Sequence, residues 1–175
     1  MEVASVAVKP SSTHGKGVFA AIDFEEGDVI LRFDDSRLVT DENPLREGEH
    51  PYHCEWLPDG RVIYGQEPER YTNHSCDPSA YVKEKDGIRY LVARRDIHAG
   101  EEITCDYSID NWGDVWWSCT CGSVRCRKTV YNDFFRLPLE TQIEYLPYLS
   151  QAFRNRFREQ VEALSRRAKS RSRTQ

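Results

Sequence analysis

The sequence lacks the long apolar segments that a membrane protein needs. No apolar run approaches the roughly 18 residues that mark a membrane-spanning helix, and no signal-peptide pattern is present. The 175 residues also contain no internal repeat, which excludes a repeat array. A chain of this length is most simply one domain with a sizeable core. We expect it to be intracellular, either cytoplasmic or nuclear, with no secretion and no membrane partner.

The six cysteines are not expected to form disulfides, because nothing in the sequence directs the chain to an oxidising compartment. Four of them suit a tetrahedral metal ion, since three lie too close together to pair comfortably and a fourth precedes them. These four are Cys76, Cys119, Cys121 and Cys126. We predict one structural zinc ion, because four thiolates leave no open position for water. Reduced core thiols are the alternative, and that environment is expected for the remaining Cys54 and Cys105.

The charge is distributed unevenly along the chain. The segment 154–175 carries eight Lys or Arg against two Glu, a net charge of +6, which leaves −11 for the rest of a chain whose total is −5. An acidic body suits a cationic peptide ligand. The basic end is compatible with nucleic-acid contact or with a solvated helix end that binds nothing.

Short β-branched or aromatic runs separated by turn residues predict a mainly β protein. The clearest hairpin signal is Asp86-Gly87, between the apolar runs 81–85 and 88–93. The acidic segment 34–50, broken by Pro and Gly, is predicted to be a loop. The other predicted strands are residues 6–8, 18–22, 29–33, 52–57, 61–64 and 102–107.

The pattern changes after Pro138. Apolar residues then recur at helical spacing and predict a helix over about residues 148–167. These residues are Leu149, Phe153, Phe157, Val161 and Leu164. The apolar stripe is a docking face for the rest of the chain, and a homodimer contact is the alternative use. Residues 165–175 are biased enough in composition to be disordered.

Four motifs carry the chemistry. Gly15-Lys16-Gly17-Val18-Phe19 has two glycines that let a backbone approach a ligand closely. The second motif, 70–78, is dense in polar residues and contains the segment Asn73-His74-Ser75-Cys76, which includes the predicted zinc ligand Cys76. The third, 100–107, ends a predicted strand on Tyr107, and the Cys-x-Cys-x4-Cys cluster follows. In this order and at these separations, the motifs resemble the SET-domain protein-lysine methyltransferases.

The resemblance runs from about Val6 to Tyr131 and leaves the C-terminal part uncovered. It implies a β-clip of small sheets with a knot-like threaded segment, to which a C-terminal helical region is added. The expected division is a SET domain at 1–117, a post-SET zinc segment at 118–134, and a helix with a basic tail at 135–175. No cysteine-rich region precedes residue 54, so the zinc cluster that some members carry before the domain is absent.

The resemblance also implies a cofactor, S-adenosyl-L-methionine, and the residues that bind it. The first motif would cradle the methionine part, and the second would hold the remainder, largely through backbone groups. An aromatic residue five positions after the last zinc cysteine would cover the cofactor. The implied binding residues are Lys16, Gly17, Val18, Phe19, Arg70, Asn73, His74, Tyr107 and Tyr131.

Tyr107 matches the family's catalytic tyrosine, and Tyr52 is the candidate for a second hydroxyl at the methyl-transfer channel. A lysine amine is protonated at neutral pH because its pKa is about 10.4. Burial in an apolar channel beside a sulfonium would lower that pKa, and Tyr107 would orient the neutral amine without acting as a strong base. Cys105 stands where many members have Phe or Tyr, so we predict a pocket that accepts di- or trimethyllysine.

The predicted function is therefore transfer of methyl groups to a lysine of a protein substrate, with a histone tail as one candidate. An inactive SET-fold module that binds lysine-containing peptides is one alternative. A nucleic-acid-binding protein that uses the basic tail is another. Trp112, Trp116 and Trp117 line a peptide groove, cover the cofactor, or simply pack a linker, and the sequence leaves these three uses open.

Overall fold

A computed structural model of the chain describes residues 5–171. Its strands precede its helices, as the residue patterns predict. The strands are β1 (Val6–Pro10), β2 (Lys16–Ala20), β3 (Val29–Arg32), β4 (Cys54–Trp56), β5 (Val62–Tyr64), β6 (Asn73–His74), β7 (Ala80–Lys85), β8 (Ile88–Ala93), β9 (Glu102–Cys105), β10 (Trp116–Ser118) and β11 (Thr129–Tyr131). The helices are α1 (Leu139–Tyr145), α2 (Gln151–Arg156) and α3 (Arg158–Arg171).

The largest sheet has the order β1-β2-β9-β6 and joins segments that are distant in sequence. Strand β2 pairs with β9 antiparallel, with Val18 opposite Ile103. Strand β6 pairs with β9 in parallel, with Asn73 opposite Thr104 and His74 opposite Cys105. The first, second and third sequence motifs therefore lie side by side in one sheet.

A three-stranded sheet, β3-β8-β7, packs beside this one. The turn between β7 and β8 is the predicted Asp86-Gly87 pair, and both residues have a positive φ, 53° and 74°. Positive φ at both central residues defines the type I′ turn that matches the twist of a hairpin. Two smaller sheets, β4-β5 and β10-β11, lie outside these two.

The strands enclose one hydrophobic core, and the C-terminal part encloses another. The first core contains Val18, Phe24, Ile30, Leu91, Ile97 and Ile103 among its buried residues. The second contains Phe134, Leu137, Tyr145, Leu149, Phe153, Val161 and Leu164. The expected fold class, mainly β with a C-terminal helical region, is confirmed. The division at residues 117 and 134 stays a prediction.

The single helix predicted over 148–167 is wrong in its details. Helix α2 starts after Ser150, whose side chain accepts a hydrogen bond from the Phe153 N–H, and it ends at Phe157, where φ is −115° and ψ is 38°. The break lets α2 and α3 pack against each other while Phe153, Val161 and Leu164 all reach the second core. Helix α1 was not predicted, because seven residues are too few for a clear periodicity.

The prediction of disorder over 165–175 is wrong for residues 165–171, which belong to α3. Residues 172–175 lie outside the described residues. Within residues 5–171, no helix is both long and apolar enough to cross a membrane.

Candidate active site and metal centre

Asn73 ties together three segments of the chain. Its Nδ2 donates to the backbone carbonyl of Lys16 at 2.9 Å and to Oε1 of Glu102 at 2.7 Å. The carbonyl of His14 lies 3.2 Å from the same nitrogen. Asn73 is 8% exposed, so these bonds are shielded from water and leave few alternatives if they are lost. This side chain therefore holds the first motif against the second and third.

Gly17 lies against a neighbouring side chain. A Cβ at this position would lie 2.2 Å from Oε1 of Glu102, so the Glu102 carboxylate would have to move away from its bonds to Asn73 and Ser11. The other carboxylate oxygen of Glu102 accepts a hydrogen bond from the Ser11 hydroxyl at 2.9 Å. The sequence suggested a close approach between this glycine and a ligand, whereas the structure shows a close approach to Glu102. The role of Glu102 was missed, because an acidic residue on a strand usually faces solvent.

Tyr107 follows the end of β9 and is held at both ends. Its hydroxyl donates to the backbone carbonyl of Thr72 at 2.7 Å, and its backbone N–H donates to Nδ1 of His74 at 3.2 Å. The residue is 36% exposed. Desolvation of the phenol, followed by the nearby Cys105, Glu55 and Glu102, raises its pKa above the ordinary value. The phenol therefore stays protonated at neutral pH.

His74 joins Tyr107 to the cysteine cluster. Because Nδ1 accepts from Tyr107, the proton of a neutral ring lies on Nε2, which is 3.4 Å from Sγ of Cys76. Burial, opposed by Asp106 and aided by Arg127, lowers the pKa of His74 to about 4. The imidazole is therefore neutral at physiological pH.

A buried ion pair lies beside His74. Asp106 is 3% exposed, and its carboxylate is contacted by the Arg127 guanidinium at 2.9 Å and 2.7 Å. Its Oδ1 also accepts from the Ser108 N–H at 3.1 Å. Arg127 directly follows the last cysteine of the cluster, so this pair holds the cluster against the active-site turn. The sequence did not identify it, because the two residues are 21 positions apart and no local pattern links them.

Two buried polar atoms near the second motif have no protein partner within residues 5–171. They are Nε of Arg70 and Oγ1 of Thr72. Buried polar atoms are normally hydrogen-bonded, so these two fit a site that receives a polar ligand. Lys16 places its ammonium 5.0 Å from the centre of the Tyr71 ring at the same place. The residues present therefore fit a polar cofactor.

The other predicted cofactor residues are placed differently. The Val18 side chain is fully buried in the first core, so only its backbone is available to a ligand. Phe19 is half-buried and lies opposite Glu102 in the sheet. Tyr131 lies opposite Trp116 in the β10-β11 pair, with the Arg136 guanidinium 4.5 Å from its ring centre. The cofactor roles of these three residues stay predictions.

Tyr52 is 89% exposed, and its ring stacks on His50 with centroids 4.3 Å apart. Its role as a second channel hydroxyl stays a prediction. Cys105 lies next to His74 in the sheet and packs against the first core, and burial raises the pKa of its thiol. It is therefore a small, protonated side chain two residues before Tyr107.

The three tryptophans have separate environments. Trp112 packs on Phe153 and Phe157 of the second core. Of the three uses that the sequence left open for the tryptophans, this is the packing of a linker. Trp117 is 38% exposed, and its ring centre lies 6.3 Å from that of Tyr107. Trp116 is 62% exposed on the same strand. An open aromatic surface therefore lies beside Tyr107.

The metal centre contains the four predicted cysteines and neither of the other two. The sulfur atoms of Cys76, Cys119, Cys121 and Cys126 all lie within 4.8 Å of one another. Cys76 and Cys119 have their sulfurs 3.7 Å apart. A tetrahedral ion with metal–sulfur bonds of about 2.3 Å would set its sulfurs about 3.8 Å apart. The geometry therefore fits one tetrahedral metal ion.

Backbone N–H groups point at these sulfurs. The Cys76 N–H donates to Sγ of Cys121 at 3.5 Å, and the Arg127 N–H donates to Sγ of Cys76 at 3.4 Å. Desolvation opposes ionisation of Cys121, but hydrogen bonds from Cys76 and Ser123 outweigh it and lower the pKa to about 6. Desolvation raises the pKa of Cys119 to about 11. The donors therefore favour the thiolate, the form that binds metal, at Cys121, whereas desolvation raises the pKa of Cys76 and Cys119 and disfavours it there.

A family model of the SET domain matches residues 15–108, which is more than half of the chain. This chain belongs to the SET-domain family. The matched region holds Asn73, His74, Cys76 and Tyr107. The three later cysteines and all the helices follow it.

Several curated proteins are similar to this SET-domain chain. The histone-lysine N-methyltransferase trithorax of Drosophila virilis is 31% identical over 135 residues, covering 70% of this chain and 4% of that protein. An H3 lysine-36 specific histone-lysine N-methyltransferase of Eremothecium gossypii is 34% identical over 140 residues, covering 71% and 20%. The enzyme of that name from Saccharomyces cerevisiae is 33% identical over 142 residues, covering 71% and 19%. The chain thus spans a fifth or less of these relatives.

Proposed function

We propose that this SET-domain chain is a protein-lysine N-methyltransferase that uses S-adenosyl-L-methionine. One observation carries the proposal: Asn73 joins the first, second and third motifs at the point where Tyr107 leaves the sheet. Tyr107 is fixed there by its hydroxyl and by its backbone N–H, so its phenol has a set position beside the cofactor motifs. The similarity to histone-lysine N-methyltransferases supports the same reaction.

The cofactor site is formed by the first and second motifs. Bound S-adenosylmethionine would supply a methyl group activated by a sulfonium. Arg70 and Thr72 would use their unpartnered polar atoms to bind it, while Lys16 and Gly17 would contribute backbone groups. The segment carrying Asn73 and His74 stays rigid because its side chains are already bonded within the protein.

Tyr107 would orient the substrate amine. Its raised pKa keeps the proton on the phenol oxygen, so it is not the base that deprotonates the lysine. The ammonium would lose its proton to solvent as it enters the channel, because desolvation disfavours the charged form. The protein then has mainly to align two reactants and exclude water, which is where a displacement reaction gains most.

The metal is proposed to be zinc with a structural role. Four sulfur ligands fill a tetrahedral site and leave no position for a reacting water. The ion would fix Cys76, in the second motif, to the segment that carries Trp117 and Tyr131. The chain would therefore close over the active site only when the ion is bound.

The substrate is proposed to be a protein, with the histone tail as the leading candidate. A histone tail is cationic and suits the acidic body of this chain. Cations on α3 at Arg166, Arg167 and Arg171 are exposed, and contact between this helix and nucleic acid stays a prediction. Dimerisation through the helical region also stays a prediction, as does an intracellular, nuclear or cytoplasmic, location.

The test is methyl transfer from radiolabelled S-adenosylmethionine to a histone mixture, followed by mass spectrometry. We expect labelled lysine with the wild-type chain and a rate about 100-fold lower with Tyr107→Phe, since one positioned hydroxyl is lost from the reaction site. Tyr90→Phe is the matched control, because it removes a hydroxyl from β8 in the other sheet. Binding of histone peptides without any transfer of label would support the inactive module instead.

A further inference from the structure

We propose that Glu144 on α1 is a positioning residue for the metal centre. This inference rests on the proposed function, because it takes the four-cysteine cluster to hold zinc. It assigns a role to the helical region, which lies beyond the segment that the SET-domain model matches. Glu144 contacts neither metal ligands nor the active site directly, and it acts through two arginines.

The two arginines reach Glu144 from different parts of the chain. Arg125 lies one residue before the ligand Cys126, and it donates from Nη1 to Oε1 of Glu144 at 3.0 Å and from Nη2 to Oε2 at 2.5 Å. Arg94 follows β8 and donates to the same carboxylate. Paired guanidinium bonds to one carboxylate fix direction as well as distance. The carboxylate therefore joins the cysteine loop to the SET-domain sheet.

Asp77 extends the network to the other ligand segment. It directly follows the ligand Cys76, and its Oδ1 lies 3.5 Å from Arg125 and 3.9 Å from Arg94. The segment before Cys126 and the segment after Cys76 are thus connected to one ionic network. An isolated surface ion pair contributes little to stability, whereas a network with good geometry contributes more. Arg94 is 13% exposed, so part of this network is shielded from water.

Helix α1 is itself held firmly. Tyr145, next to Glu144, is fully buried in the second core. The Arg94 guanidinium lies 5.5 Å from the centre of the Tyr145 ring and 5.6 Å from that of Tyr148. Tyr148 also packs on Tyr81 of the SET-domain sheet, with ring centres 4.4 Å apart and the ring planes 43° apart. Glu144 therefore presents its carboxylate from a fixed position.

Apart from the Arg127–Asp106 ion pair, the cysteine loop has little other support. Residues 119, 121 and 126 are only half-buried, and Val124 between them is fully exposed. With no apolar core beneath it, the loop depends on the metal, on the short β10-β11 pair and on ionic contacts. Loss of the Glu144 charge should let the loop open more often and release the metal faster.

The test measures zinc release from the full-length, zinc-loaded protein to a chromophoric chelator. We expect Glu144→Gln to release zinc about 10-fold faster than the wild type, the lower end of the effect of groups that support metal ligands. Glu140→Gln is the matched control. Glu140 lies one turn earlier on α1 and also pairs with an arginine, Arg171, but not with the cysteine loop. It should release zinc at the wild-type rate.

A second variant tests the contact itself. Arg125 is 41% exposed, so Arg125→Gln should fold even if Glu144→Gln does not, and it should give the same acceleration. The double variant should accelerate release by less than the product of the two single effects, because both single variants remove the Arg125–Glu144 contact, while Glu144 also binds Arg94 and Arg125 also lies near Asp77. Release at the wild-type rate from both single variants, or additive effects in the double variant, would overturn the role of Glu144.

The wild-type protein separates this inference from the proposed function. A wild type that binds one zinc and transfers methyl groups, with Glu144→Gln releasing zinc at the wild-type rate, overturns the role of Glu144 alone. A wild type that binds no zinc overturns the structural ion and this inference together. Melting temperatures measured alongside should show that faster release from Glu144→Gln occurs far below its unfolding transition.

Discussion

The strand-built region, residues 6–108, and the helical region, residues 134–171, both enclose a hydrophobic core, but they assemble it differently. In the strand-built region, β2 pairs with β9 and β6 pairs with β9 across long stretches of chain. In the helical region, α1 and α2 both contact α3 within about 30 residues of sequence. The strand-built region therefore depends on contacts between residues far apart in sequence, and the helical region on contacts between residues close in sequence.

The difference shows why the candidate site lies where it does. A site that needs groups from several motifs forms where distant segments cross, and Asn73, Glu102 and Tyr107 lie at that crossing. The helical region contributes no predicted cofactor or catalytic residue. It instead meets the rest of the chain through Glu144, whose partner Arg125 lies beside the metal centre, and through Ser150, whose partner Asp110 follows the active-site turn. The helical region therefore supports the site from outside.

Phe153→Ala should break the helical region most severely. Phe153 is fully buried and contacts Phe134, Phe135 and Phe157 through their rings. We expect the free energy of unfolding, measured in urea, to fall by about 3–5 kcal/mol, because a large cavity forms. Phe157→Ala, at a half-buried position one turn later, should cause a smaller loss. Equal losses from the two variants would mean that the second core is not centred on Phe153.

Asn73→Asp should disrupt the contacts that join the three motifs in the strand-built region. The new carboxylate would face Glu102 and the Lys16 carbonyl without a proton to donate. We expect a loss of about 3 kcal/mol in the free energy of unfolding, from a buried network left unsatisfied and charged, and a large loss of S-adenosylmethionine binding measured by calorimetry. Asn155→Asp, at an exposed position on α2, is the control. Wild-type cofactor affinity in Asn73→Asp would contradict the proposed crossing.

Asp110→Asn should change how stability depends on pH, because Asp110 lies where the helical region meets the rest of the chain. Burial raises the pKa of Asp110 to about 6, although its carboxylate accepts from the Ser150 N–H at 2.9 Å and 3.0 Å. The folded state therefore holds the proton more tightly than the unfolded chain, where the pKa is about 4. This contribution to stability is complete below about pH 4 and is lost as the pH rises through about 6.

The measurement is the free energy of unfolding of wild type minus that of Asp110→Asn, followed against pH. We expect this difference to shift by about 2 kcal/mol in favour of the wild type between pH 7 and pH 4. Other carboxylates titrate in both proteins and cancel in the difference. A difference that does not change over this range would show that Asp110 is not buried at the junction.

Cys105→Phe should alter the product, and it should also cost some stability, because Cys105 packs against the first core. The larger ring would fill space beside the Tyr107 site, so we expect the rate of the second and third methylations to fall about 10-fold, or about 1.4 kcal/mol in barrier height. Mass spectrometry of the substrate lysine measures the distribution. Cys105→Ala keeps the side chain small and should behave as the wild type. A wild-type chain that stops at monomethyllysine would refute the prediction about Cys105.

Some of this structure could be predicted because its signals are local. Asp86-Gly87 specifies a tight turn through backbone preference alone, and the alternating runs on either side form β7 and β8 as expected. The four cysteines could be chosen among six because their spacing excludes pairing within the cluster. The two-residue strand β6 and the three-residue strands β10 and β11 escaped prediction, since such short segments carry no periodic pattern.

The partners of Gly17 and Arg127 depend on contacts that no local pattern records. The motif around Gly17 predicts that a ligand approaches the backbone there. In the structure, a Glu102 oxygen lies close to the position that a Cβ of residue 17 would take. Nothing in the sequence distinguishes Arg127 from the other arginines. In the structure it forms an ion pair with the buried Asp106 beside His74. The break between α2 and α3 at Phe157 likewise follows from packing both helices on one core. The sequence does not show this break, because its helical periodicity continues through Phe157.

The residues alone determine that this chain is β-rich, offers four sulfur ligands in two segments and carries a tyrosine at the end of a predicted strand, because each property follows from composition or short spacing. The three-dimensional arrangement alone decides that Asn73 gathers three motifs, that His74 stays neutral between a phenol-bearing turn and a thiol, and that Glu144 reaches the metal loop. Those outcomes require distances between residues far apart in the chain, which only the folded backbone sets.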